Sequence, residues 1–213
     1  VKVFTHFFNN INSPLLHFPK STCSSCFQDK YYLMKFKKFS FKKVKSTNNT
    51  ALRIIKNYNY EFGIIAAEFQ ENGRGQYGRK WISYKGNLFV SFFYNLENLN
   101  LTIKKITKIN CLLVKKFISQ FYKKKISIKK PNDLLINNKK IAGILQETTT
   151  KLNKKYLIVG IGINVNKSPD IRGYPTTNLF ELLDKKLNPK VLENQLKLTF
   201  EKNLSKFYKM NNS

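Results

Sequence analysis

The sequence predicts an α+β fold: a mixed, largely antiparallel sheet with helices packed on one face. Three observations carry that reading. Residues 102–122 place Ile103, Ile106, Ile109, Leu113, Phe117 and Phe121 at spacings of three and four, the period of one long amphipathic helix. Around it lie short apolar runs of strand length, joined by hairpin-length connections. No series of strand–helix–strand units of the dinucleotide-binding type appears, so a doubly wound sheet is set aside.

The elements follow in order. Ser46 or Thr47 caps a helix carrying Leu52, Ile54, Ile55 and Tyr58. Residues 62–69 and 87–94 read as buried strands. After the long helix come strands at 126–129, 134–136, 141–148 and 156–165, with Asn137-Asn138 as a tight turn between the second and third. Residues 177–183 and 190–208 read as helices, the latter with Val191, Leu196, Phe200, Leu204 and Phe207.

Residues 1–45 stand apart. They hold one acid, Asp29, among many Phe, Lys and Asn, and show no sustained period. They read as an extension, with one short strand near residues 31–36 as the alternative and no helix-turn-helix. The Arg-rich amphipathic pattern of a transit peptide is absent.

Composition narrows the class. The 213 residues are 42% hydrophobic, which sets aside a disordered chain. No run of about 18 uncharged apolar residues is present, so no membrane-spanning helix is expected. Three Cys (Cys23, Cys26, Cys111) cannot build a disulfide framework. Lys and Arg outnumber Asp and Glu by 39 to 12, a formal charge of +27. Such a surface attracts phosphates and acidic partners. Because the basic residues are spread along the chain, the charge is read as compositional rather than as a nucleic-acid stripe. The Cys23-x-x-Cys26 pair lacks a second Cys or His pair at zinc spacing, and no metal site is expected.

Three segments carry candidate chemistry. In Gly73-Arg74-Gly75-Gln76-Tyr77-Gly78-Arg79-Lys80-Trp81, glycines free the backbone while cations alternate with exposed amides. That pairing suits a phosphate or an acyl phosphate, although the P-loop pattern is absent. Lys129-Lys130-Pro131-Asn132-Asp133 sets a lysine at a strand end, a compact charge for a carboxylate or phosphate oxygen. Val159-Gly160-Ile161-Gly162-Ile163-Asn164 alternates Gly inside an Ile/Val strand, and Ala142-Gly143 repeats the theme. Glycines there invite close approach of a ligand or another backbone. The sheet face they leave bare is expected to receive a flat, mostly apolar molecule.

Taken in order, these segments resemble the catalytic domain of biotin protein ligases. The matched elements are Ser46-Thr47-Asn48; Glu68-Phe69-Gln70 leading into Gly73–Trp81; Lys129-x-Pro131-Asn132-Asp133-Leu134; Lys140-Ile141-Ala142-Gly143-Ile144-Leu145-x-Glu147; and Gly160-x-Gly162-Ile163-Asn164. They cover roughly residues 44–200. The resemblance implies the class II aminoacyl-tRNA-synthetase-like biotin/lipoate ligase fold. It implies a two-step ligase with ATP and Mg²⁺ as cosubstrates, in which biotin becomes biotinyl-5′-AMP and then passes to a lysine of a carboxylase carrier domain, acetyl-CoA carboxylase first.

By family position, Lys129 and Arg74 are the catalytic candidates. Ser46, Thr47, Asn48, Gln70, Gly73, Arg74, Gly75, Gln76, Lys129, Gly143, Gly160 and Gly162 fall to biotin. Arg74, Arg79, Lys80, Trp81, Asn132 and Asn164 fall to ATP and the adenylate. Two residues depart from the family pattern: Gln76 stands where many relatives carry Arg, and Lys130 where Trp is usual. Residues 46–213 are read as the catalytic domain, with the family's small C-terminal β domain absent or truncated. The protein is expected to be a monomer or homodimer without specific nucleic-acid or membrane partners. It is placed in the cytoplasm, with a plastid-like or mitochondrial compartment as the alternative. A lipoate or octanoate ligase and a basic nucleic-acid-binding protein are the competing readings. The first lacks its Arg-Arg-x-x-Gly-Gly-Gly segment here.

Overall fold

The computed structural model describes residues 34–97, 99 and 101–208. Residues 1–33, with the Cys23-x-x-Cys26 pair, lie outside the described residues. Seven strands form one sheet: β1 (Lys37–Phe41), β2 (Phe62–Ala67), β3 (Leu88–Asn95), β4 (Ser127–Lys129), β5 (Asp133–Ile136), β6 (Lys139–Lys151) and β7 (Lys154–Ile163). Their order is β1-β2-β3-β7-β6-β5-β4. The β1–β2 pair is parallel and every other pair antiparallel, as the predicted class requires. The helices are α1 (Thr47–Asn57), α2 (Ile103–Ile118), α3 (Leu179–Leu183) and α4 (Pro189–Leu204).

The period-two alternation of the central strands sorts their side chains onto two faces. Ile64 and Ala66 of β2, Val90, Phe92 and Tyr94 of β3, and Leu157, Val159 and Ile161 of β7 share a core with α2 and α4. Phe92 stacks on Phe200 of α4 with ring centroids 4.1 Å apart. Ile65, Phe93, Tyr156 and Ile158 point the other way, onto Ala51, Ile54 and Ile55 of α1. The two long helices therefore share one face, as expected. The short α1 lies on the opposite face, at the side where the glycine- and cation-bearing motifs converge.

Local chemistry sets the boundaries. Thr102 caps α2 by accepting from the Lys105 amide at 3.3 Å. Ser46 takes the cap position of α1 with extended backbone, but its side chain makes no capping bond. The α4 helix starts one residue earlier than its period implies, because Pro189 fits the first turn. It ends at Leu204 and tightens into a 3₁₀ turn at Ser205–Phe207, short of residue 208. Asn137 and Asn138 both have positive φ (50° and 61°), the two-residue hairpin turn predicted there.

A second such turn at Leu152 and Asn153 (45° and 63°) joins β6 to β7. It lets β6 run to Lys151, beyond its expected end at 148. The sheet also begins before position 46. Lys37–Phe41, inside the stretch read as an extension, pairs with β2, and Met34 and Phe36 are buried in the larger core.

Candidate functional site

A cleft of about 860 Å³ opens on the α1 side of the sheet, within the range of about 300–1,000 Å³ typical of small-molecule sites. Its inner wall comes from the start of α1 and the loop after β2. Thr47 donates from its amide (2.8 Å) and hydroxyl (3.1 Å) to Oε1 of Gln70, whose amide nitrogen reaches Ser83 Oγ at 3.3 Å. The buried hydroxyl of Ser91 donates to Asn48 Oδ1 at 2.5 Å and lies 2.8 Å from Thr47 Oγ1. A buried polar group left without a partner costs about 1–3 kcal/mol, so this network fixes which donors and acceptors face the cleft. Ser46, Thr47, Asn48 and Gln70 all line it.

Residues 73–81 fold into a hairpin flap over the opening. Gly75 donates to the Arg79 carbonyl (2.7 Å), and Trp81 donates to that of Gly73 (2.8 Å). A Cβ at Gly73 would sit 2.5 Å from the Trp81 carbonyl, which is why glycine stands there. At the tip Tyr77 has φ 55° and is 88% exposed, and Gly78 has φ 73°. Arg74, Gly75, Gln76, Arg79, Lys80 and Trp81 all line the cleft. The Arg74 guanidinium is held by Glu147 of β6, Nη2 to Oε2 at 2.6 Å.

Gly143, Gly160 and Gly162 form part of the lining, but the surface above them is not bare. The Trp81 indole lies on Gly143 and Gly162: a Cβ at Gly143 would be 2.7 Å from Cζ3, and one at Gly162 would be 2.4 Å from Cε2. At Gly160 a Cβ would overlap the amide of Asn48. The expectation that these glycines lie open to a flat molecule is corrected in this respect. The close approach they permit is taken up by the chain's own side chains, because the flap carries its aromatic residue back onto the sheet. The indole nitrogen is buried with no hydrogen-bond partner among the described residues.

The far wall comes from the β4–β5 turn and the loop after β7. Lys129 closes β4, paired in register with Asp133, and its Nζ lies 4.8 Å from the Tyr174 ring centroid. Lys140 sits between two rings, 5.2 Å from Trp81 and 5.4 Å from Tyr174, and pairs with Asp133 at 2.8 Å. The Tyr174 hydroxyl donates to the same carboxylate at 2.5 Å. Burial, and then the adjacent Asp133, push that phenol up to about 12, so it acts as a donor at neutral pH.

Asn132 lines the cleft while clamping β6: its side-chain amide donates to Ile144 O at 2.7 Å, and its backbone carbonyl accepts from Ile144 N at 3.0 Å. Asn164 is buried behind the wall, donating to Thr177 O at 3.1 Å. Asn164 and Gly73 are the two predicted site residues that do not line the cleft.

Four residues at the site had no role in the sequence reading: Asp133, Lys140, Glu147 and Tyr174. The first three stand inside the quoted motifs, so their signal was present. Tyr174 lies in an irregular loop with neither period nor motif.

A second hollow of about 690 Å³ lies beside β1 and the start of α4. Its rim is closed by the ion pairs Lys38–Glu193 and Lys190–Glu68. None of the predicted site residues lines it.

Residues 40–164 match the biotin/lipoate A/B protein ligase family. The chain is 35% identical over 101 residues to the bifunctional ligase/repressor BirA of Escherichia coli, covering 46% of this chain and 32% of that protein. It is 32% identical over 126 residues to biotin–protein ligase 1, chloroplastic, of Arabidopsis thaliana, covering 56% and 33%. The biotin protein ligase of Aquifex aeolicus in complex with biotin and ATP superposes with a TM-score of 0.68 at 31% identity, over 81% of this chain and 72% of that one. The chain thus spans about a third of the length of these two curated relatives. The match covers more than half of the chain and includes both the flap and the glycine-bearing strands; the chain belongs to the biotin/lipoate A/B protein ligase family.

Proposed function

We propose that the protein is an ATP-dependent biotin ligase that makes biotinyl-5′-AMP and passes the biotin to a lysine of a carboxylase carrier domain. The observation that carries this reading is the convergence of Arg74 and Lys129 on one cleft whose inner wall is a buried hydrogen-bonding pocket. Biotin offers a neutral ureido head with donors and acceptors that must be satisfied once buried. Ser46, Thr47, Asn48 and Gln70 supply complementary groups. Its acid tail then points toward the cations.

Lys129 brings the carboxylate and the α-phosphate of ATP together and offsets the charge that builds as the carboxylate oxygen attacks phosphorus and pyrophosphate leaves. Arg74, Gly75 and Gln76 cover the same groups. Arg79, Lys80 and Trp81 complete the nucleotide side, with Asn132 and Asn164 bracing it. In the second step the carrier amine attacks the acyl carbon, an amide forms and AMP leaves. The flap keeps water from the adenylate meanwhile.

Mg²⁺ enters as part of the MgATP substrate. Among the described residues no three His, Cys, Asp or Glu side chains gather to hold an ion of their own. The carrier is proposed to be acidic around its target lysine, complementary to the +27 chain, with acetyl-CoA carboxylase as its source. No helix among the described residues is long and apolar enough to cross a membrane. The cytoplasm is the proposed location. The chloroplastic plant relative, with the acid-poor stretch 1–45, supports an organelle as the alternative.

Biotin-dependent exchange of labelled pyrophosphate into ATP tests the reading. Exchange is expected with biotin and not with lipoate. Exchange with lipoate alone would assign the other branch of the family, and exchange with neither would leave a binding protein without turnover.

Gln76 supplies a second test. Arg at this position adds one charge-assisted hydrogen bond over the phosphoryl group, so Gln76→Arg is expected to slow adenylate release roughly tenfold. The lifetime of the bound intermediate in a chase experiment measures this, and an unchanged lifetime refutes it.

A further inference from the structure

Glu147 has none of the roles assigned above, yet the two halves of the cleft meet on it. Its Oε2 accepts from Nη2 of Arg74 at 2.6 Å and from Nδ2 of Asn48 at 2.7 Å. Arg74 belongs to the flap and Asn48 to the first turn of α1. One carboxylate oxygen therefore ties the lid of the site to its inner wall.

Neither partner has an equivalent alternative. The Asn48 amide is oriented by Ser91, which donates to its oxygen at 2.5 Å, and by the close surface of Gly160 beneath it. With the oxygen committed, the nitrogen must point toward β6. The other acceptor it meets there is the Leu145 carbonyl at 3.4 Å, near the limit of a hydrogen bond. Asn48 is 3% exposed, so water does not substitute. Arg74 is the single guanidinium in Gly73–Gln76, because Gln76 stands beside it. Holding Arg74 by one edge leaves its other N–H donors to an anion in the cleft, which it lines.

We infer that Glu147 is a positioning residue for the ligase reaction: it aims Arg74 at the substrate's acid group and locks Asn48 toward the head-group pocket, so both ends of the substrate are registered by one side chain. The inference rests on the biotin-ligase reading. A latch, in which Glu147 merely occupies Arg74 until substrate displaces it, has no need of the Asn48 bond and predicts the opposite effect on binding.

Glu147→Gln keeps the shape and can hold its carbonyl oxygen on both donors, but it removes the negative charge that strengthens and aims those two hydrogen bonds. Pyrophosphate exchange is expected to fall by up to ~10²-fold, with KM for biotin raised, kcat lowered and the melting temperature nearly unchanged. The kcat losses of Arg74→Ala and Glu147→Gln should not multiply in the double variant, since the aim of a missing guanidinium no longer matters. The rise in KM should persist there, because it acts through Asn48.

Glu147→Asp retains the charge but is too short to span both partners. It is expected to lose activity by a smaller factor and carries the test if the Gln variant does not fold. Full exchange in Glu147→Gln, a lowered KM for biotin, or kcat losses that multiply would each overturn the assignment while leaving the ligase reading intact. A native protein that shows no biotin-dependent exchange removes both.

Discussion

Lys129→Ala is expected to lower biotin-dependent pyrophosphate exchange by about 10²–10³-fold, the cost of removing one preorganised donor from a charge-building transition state. Lys129 is suited to carry so much because little else holds it. Among the described residues its one partner is the Tyr174 ring, 4.8 Å away. Its ammonium is thus oriented by the ring face and stays available to anions on the cleft side. The aromatic contact contributes only about 0.5–1 kcal/mol at an exposed site. For a chain of this length that corresponds to a few degrees of melting temperature at most. The variant should therefore fold and melt nearly as the native protein does while failing to form adenylate. Exchange within a factor of three of native would remove Lys129 from the reacting centre.

Gly162→Ala is the second substitution with a large expected effect. Its methyl group would press to 2.4 Å from the Trp81 indole, and β7 cannot yield, because Gly162 is paired with Phe89 of β3 on one side and Gly143 of β6 on the other. The indole must move. Among the described residues no hydrogen bond retains it at Nε1, and Lys140 lies 5.2 Å from the ring. Overpacking of this kind typically costs about 1–3 kcal/mol, and displacing a cleft-lining group by an ångström can cost ~10²-fold in rate. Trp81 is the chain's one tryptophan, so its fluorescence reports the event directly. A red-shifted emission maximum and a loss of exchange are expected together. Native emission with native exchange would show that the ring does not rest on Gly162.

The elements legible in the sequence were those whose local chemistry and burial agree. The α2 helix holds five of the six apolar residues read at helical spacing and a Thr cap, with Phe121 falling in the turn beyond it, and Asn137-Asn138 tolerates the positive φ that a tight hairpin demands. Strand β1 was not legible. KKFSF is largely solvated at the sheet edge and guarded by lysines, and its alternation is only Phe39 and Phe41, too short to stand out in a Phe- and Lys-rich stretch. The polar end of β6, Thr149–Lys151, reads as loop, yet it is a strand because Lys154–Tyr156 pairs with it. At the site, the cation-bearing flap and the strand-end lysine could be picked out by residue type. What approaches each glycine could not, because a period-two pattern says a face is bare and is silent about which distant side chain covers it. Glu147 was visible only as a letter in a motif; its two hydrogen bonds span segments far apart in sequence.

Strand β7 has a consequence for how this protein can change. Leu157, Val159, Ile161 and Ile163 serve the larger hydrophobic interior, while Gly160 and Gly162 between them line the cleft and Ile158 packs on α1, so the two faces alternate along a single run of chain. A one-residue insertion or deletion there would exchange the two sets, driving bulky aliphatics into the cleft and glycines into the interior. Variation in specificity is thereby confined to point replacements and to the surrounding loops, and length polymorphism should be absent from this stretch.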